Sequence, residues 1–95
     1  VPAIGVLTLE LELVESRSLK DKRHWVRGLK DRLRNGFNLA VAEIDDQNLL
    51  NRSVVAAVTI SASRENAAKV LEAAEQAAAL FLGPALISAS VDWLE

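Results

Sequence analysis

Lys20, Arg23, Arg27, Lys30 and Arg34 recur at steps of 3, 4, 3 and 4 within the segment RSLKDKRHWVRGLKDRLRN. On a helix, that spacing gathers five cationic heads into an arc of about 80°. Such a stripe suits a phosphate backbone, because Lys and Arg neutralise phosphates and release their counterions. Arg can also hold one phosphate through two nitrogens. The chemistry offered is capture of a polyanion by charge and shape, without reading bases. A solvated helix face with acidic neighbours would carry the same residues. From Arg17 to Arg34 there are eight basic residues against two acidic ones, a net of +6. The rest of the chain holds three basic and eleven acidic residues, so the overall −2 conceals a strong asymmetry. That asymmetry predicts an anionic partner for one face, or internal neutralisation by the acidic remainder.

Other chemistry-bearing residues are sparse. His24 is the only histidine and lies in the basic segment without a paired histidine or a carboxylate cluster, so it reads as a surface residue. Glu43, Asp45 and Asp46 could suggest a cation site, but the oxygen-ligand spacing of a calcium loop is absent. With no cysteine, disulfides, thiolate-held zinc and iron–sulfur clusters are excluded. The expectation is a non-enzymatic chain with no metal and no cofactor. Leu49 and Leu50 stand out in an otherwise polar stretch, where an apolar pair either folds over the core or meets a partner.

The elements that must position these residues follow from periodicity. In AIGVLTLELELVE, Leu7, Leu9, Leu11 and Leu13 alternate with Thr8, Glu10 and Glu12, the pattern of a strand with one buried face. The basic segment is a helix with Leu19, Val26, Leu29 and Leu33 on one face and Trp25 at its margin. Ser18 is its predicted N-cap, with Asp21 as capping-box partner, and Gly36 its left-handed stop. Gly28 in its interior suggests a close backbone approach. FNLAVAEI is a second strand, DDQNLLN a connection, and RSVVAAVTISAS a third strand whose valines and small residues suit packing on both sides. SRENAAKVLEAAEQAAALFLG is a second helix, capped by Ser63 and ended by Gly83 and Pro84. ALISASVDWL closes the chain as a strand, with Ile87, Ala89, Val91 and Trp93 alternating with Ser88, Ser90 and Asp92.

The order β-α-β-β-α-β predicts an α+β fold, the ferredoxin-like plait. Its four-stranded antiparallel sheet would run in the order 4-1-3-2 with both helices on one face. Residues 1–95 are expected to form one domain. Thr8, Glu10, Glu12, Ser88, Ser90 and Asp92 would then lie on the open face. RNA-recognition modules of this shape stack bases on sheet aromatics, and none falls on that face here. RNA, if bound, is therefore expected at the first helix. Acylphosphatases share the plait, but no glycine-rich phosphate loop joins the first strand to the first helix. The edge strands and the Leu49–Leu50 pair make a homodimer or adaptor, with the basic helix on an acidic protein surface, the alternative. Residues 1–14 lack the basic start and long apolar centre of a secretory signal, no run is long enough to span a bilayer, and a cytoplasmic location without membrane contact is expected.

SRSLKDKR, LRNGFNLAVAEIDDQ and NRSVVAAV together resemble the YlxP-like family of small bacterial proteins, over nearly the whole chain. Where relatives often carry an aromatic residue in DQDLWQR, this chain has Leu50 in DQNLLNR. The family has no assigned function and no catalytic residues to carry over. Its members are often encoded beside translation initiation and ribosome-maturation factors. The resemblance thus implies a bacterial cytosolic protein with RNA or a ribosomal particle as partner.

Overall fold

The computed structural model describes residues 1–95. The elements are β1 (Ala3–Glu12), α1 (Leu19–Gly36), β2 (Ala40–Asp45), β3 (Arg52–Ser61), α2 (Arg64–Leu82) and β4 (Leu86–Trp93), with a short 3-10 turn at Gly83–Ala85 before β4. They form the ferredoxin-like plait: one antiparallel sheet ordered β2-β3-β1-β4, with β1 and β3 central. The two central strands pair over their whole length, from Ala3 opposite Ser61 to Glu12 opposite Arg52. No helix is long and apolar enough to cross a membrane.

Both helices cover one face of the sheet. The period-two pattern of β1 drives this, since Leu7, Leu9 and Leu11 are all essentially fully buried. They meet Val55 and Ala57 of β3, Leu29 and Leu33 of α1, and Leu71, Ala74 and Ala78 of α2. The alanines of α2 leave no bulk between helix and sheet, so the helix lies close over the central strands. Gly5 serves the same end at the other extreme of β1. A Cβ there would stand 2.7 Å from Leu71 Cδ1 and 2.8 Å from Trp93 Cζ3.

Helix ends follow the caps expected from the sequence, with two differences. Ser18 Oγ accepts from the Asp21 N–H and Ser63 Oγ from the Asn66 N–H, each satisfying one free donor of the first turn. The Asp21 carboxylate, however, accepts from the N–H of Arg17, one residue before the cap, so the reciprocal box closes outside the helix. Gly36 is not a left-handed stop. It remains helical, and Phe37 takes an extended conformation while its N–H still reaches Leu33 O at 3.1 Å. Gly83 does terminate α2 at positive φ (57°), and Pro84 prevents continuation.

The strands also depart from simple alternation at two places. A bulge lies between Glu43 and Asp45 in β2, and another register shift lies between β1 and β4 at Glu10/Leu11. The second leaves Ile87 out of phase and nearly half exposed, against its predicted place in the β4 alternation. β3 is covered on one side only. Ser53, Val55, Ala57 and Thr59 are buried beneath the helices, while Val54, Ala56 and Val58 face the uncovered side and Ile60 is more than half exposed.

Candidate functional site

α1 presents three different surfaces. Its core side is Lys22, Val26, Leu29 and Leu33, all buried. On one flank, Trp25, Gly28 and Arg32 meet Phe81 of α2. The Trp25 and Phe81 rings are 5.5 Å apart at 57°, and the Arg32 guanidinium lies 4.5 Å over the Phe81 ring. What fills the space left by Gly28 is this ring, with its Cζ 3.0 Å from a Cβ built there, and not another backbone.

The cationic stripe occupies the other flank. At about 100° per residue, the stripe points roughly 150° away from the Phe81 side, so α2 does not cover it. Lys20, Arg23, Arg27 and Arg34 are exposed and Lys30 is half-buried. Arg34 pairs with Asp31 of its own helix at 3.0 Å. The remaining ion pairs are Lys22–Glu43, Arg52–Glu12 and Lys69–Glu65, so Lys20, Arg23, Arg27 and Lys30 have no carboxylate partner within 4.0 Å. The acidic remainder of the chain does not neutralise the stripe in place.

The polar centre that sequence reasoning missed is Lys22. Its side chain is 2% exposed and its ammonium lies 3.1 Å from the Glu43 carboxylate, which also accepts from Ser53 Oγ at 2.6 Å. The same ammonium donates to the carbonyl of Asp46, a residue held at φ 60° in the turn after β2. The segments LKDKR, AEIDD and NRSV thus converge on one buried ionic knot. A signal was available: Lys22 is in phase with Val26, Leu29 and Leu33, and Glu43 is in phase with Val41 on the helix-facing side of β2.

Glu43, Asp45 and Asp46 are therefore not gathered as ligands. Glu43 turns toward Lys22, whereas Asp45 pairs opposite Val54 beyond the bulge and bonds the N–H of Asp46. No cluster of three or more potential metal ligands is present. His24 is exposed on α1. Leu49 and Leu50 lie in the turn between β2 and β3, 46% and 44% exposed, so they do not fold back fully over the core. A concavity of 430 Å³ beside the end of β1 is lined by Leu13, Trp25, Leu82 and Ile87 among others. It also includes Glu12 and Glu15, but no histidine or cationic side chain.

The open face of the sheet carries Thr8, Glu10, Glu12, Ser88, Ser90 and Asp92, as the alternation predicts. Its character is nevertheless not acidic throughout. Ile4 and Val6 of β1 stand opposite Ile60 and Val58 of β3, and Ala40 and Ala42 of β2 extend the apolar area beyond Val58 and Ala56. The carboxylates fall at its margins.

No curated protein matches the chain. Its architecture is similar to that of a dimeric ferredoxin-like protein of unknown function from Thermobifida fusca, with a TM-score of 0.50 over 96% of this chain and 90% of that one. At 14% identity, that likeness concerns the fold alone. Residues 4–91, from the first strand to near the end of β4, match DUF503, a family described as proteins of unknown function, and the chain belongs to that family.

Proposed function

We propose that this protein is a non-catalytic binding module, one domain over residues 1–95, whose α1 stripe takes up structured RNA. The observation that carries the reading is the group Lys20, Arg23, Arg27 and Lys30, on one flank of one helix and without ion-pair partners. Unanswered cations at helical spacing match the spaced phosphates of an RNA backbone, and Arg34 at the end of the row is free to exchange Asp31 for a phosphate. The YlxP-like resemblance favours a ribosomal particle as the source of that RNA. A cytosolic location goes with this reading.

A second reading keeps the stripe and changes the partner: a homodimeric adaptor whose helix meets acidic protein. The dimeric state of the Thermobifida fusca protein and the exposed Leu49 and Leu50 favour it. One measurement separates the two. Binding of an RNA hairpin is followed against salt for the wild-type chain and for a variant with Lys20, Arg23, Arg27 and Lys30 all changed to Ala. Each phosphate that the variant no longer neutralises should lower the log–log slope by about 0.7–0.9. Identical slopes would remove the stripe as the RNA site. Equal competition by polyglutamate would favour the acidic-protein reading.

A further inference from the structure

We infer that the uncovered sheet face is the contact between two copies of this chain, stacked sheet against sheet. The first sign is the composition of β3. VVAAV, from Val54 to Val58, is apolar at successive positions, the pattern of a strand buried on both sides, yet the helices cover only Val55, Ala57 and their neighbours. The other side presents Val54, Ala56, Val58 and Ile60, continued by Ile4 and Val6 of β1. A one-sided sheet in water would ordinarily place polar residues there, as β4 does with Ser88, Ser90 and Asp92.

The layout of the face specifies its occupant. Apolar residues occupy β2, β3 from Val54 onward and the first half of β1, while Glu10, Asp92 and the Arg52–Glu12 ion pair lie at the margin. That is the apolar centre and charged rim of a protein–protein contact. Glu10 and Asp92 repel phosphate, Arg52 is already engaged by Glu12, and no aromatic residue is available to stack a base, so nucleic acid is not what fits. Small residues adjoin the valines of β3. Ala40, Ala42 and Ala56 lie together there, which allows a second sheet to approach to about 10 Å.

A second copy also satisfies symmetry. Ala56 sits midway between Val54 and Val58 on the same face, so two β3 strands crossing at Ala56 would set Val54 of each copy against Val58 of the other. A two-fold contact requires such self-complementarity. The area is adequate. With a rise of ~3.3 Å per residue and ~4.8 Å between strands, the face covers on the order of 600 Å². Two faces would remove on the order of 1,200 Å² from water, the lower bound for specific, stable interfaces.

The test is the mass of the purified chain in solution by sedimentation equilibrium at micromolar concentration, for wild type and Val58→Glu. The expected result is a dimer that becomes a monomer in the variant, with unchanged far-UV circular dichroism. The absence of native cysteine supplies a second test that does not depend on the variant folding. Ala56→Cys should be joined to its counterpart by a short bis-maleimide. Leu80→Cys, on the outer side of α2 and 88% exposed, and Leu50→Cys, in the β2–β3 turn, should not. A monomeric wild-type chain overturns the inference and leaves the face to a different partner. Cross-linking through Leu50→Cys and not Ala56→Cys overturns it in favour of contacts at the sheet edge. Neither outcome bears on the α1 stripe, whose neutralisation should leave the mass unchanged.

Discussion

A lysine at a core-facing helical position is tolerated only if its charge is answered, and Lys22 is answered by the Glu43 carboxylate and the Asp46 carbonyl. Removing one partner of a buried pair leaves the other uncompensated. Lys22→Met should therefore destabilise the fold by about 3 kcal/mol, lowering Tm by on the order of 10–20 °C. Adding Glu43→Met should recover only part of that loss: the unpaired carboxylate goes, but the buried Ser53 hydroxyl loses its acceptor. Urea denaturation of the two variants decides it, and an unaltered midpoint in Lys22→Met would show that the knot contributes nothing. Lys22 is easily missed as a core residue because its residue type contradicts its helical phase. Val26, Leu29 and Leu33 announce the buried face, and the fourth position on it is occupied by a charge whose partner is 21 residues away in the sequence. The members of the stripe are legible because they lie on one helix, where spacing alone sets direction.

Among the elements, α1 shows its apolar and cationic sides in sequence, but its third surface depends on α2. Phe81 is held between Trp25 and Arg32, and its ring occupies the place a side chain at position 28 would take. Gly28→Ala would gain about 1 kcal/mol in helix propensity. The clamped ring has little room to yield, so the substitution is expected to be neutral or destabilising in thermal melts. Arg32→Ala should loosen the clamp and let Gly28→Ala recover part of its helical gain, a coupling that a double-mutant cycle would expose. Gly5→Ala is the stricter case. Its Cβ meets both Leu71 and the Trp93 ring below 3.0 Å, and a loss of about 1–3 kcal/mol is expected from the same melts. For β3, the two-sided apolar pattern is legible, but only the paired register shows which half the helices leave uncovered.

At the scale of the whole molecule, helices on one side and a bare apolar sheet on the other make the two proposals compatible. Stacking two sheets would leave both stripes uncovered, because each lies on the flank of α1 turned away from α2 and from the sheet. Short RNA hairpins should then bind two per dimer with equal affinity, and Val58→Glu should leave that affinity unchanged. Long RNA able to wrap the particle should bind the dimer more tightly than the Val58→Glu monomer, through effective concentration alone. Calorimetric titration with short and long RNA measures both, and equal affinity of monomer and dimer for long RNA would show that the stripes do not act together. The element order, the leucine face of β1, both N-caps and the cationic row on α1 can be read along the chain. Each of these is local or periodic, and a period of 2 or 3.6 residues is enough to assign a face. Three properties appear only in the folded chain: Lys22 is buried against Glu43, four of the five stripe cations lack a carboxylate partner, and the open face is apolar at its centre with charges at the rim. Those properties arise from residues brought together by strand register and helix packing, and separation along the chain carries no signal of either.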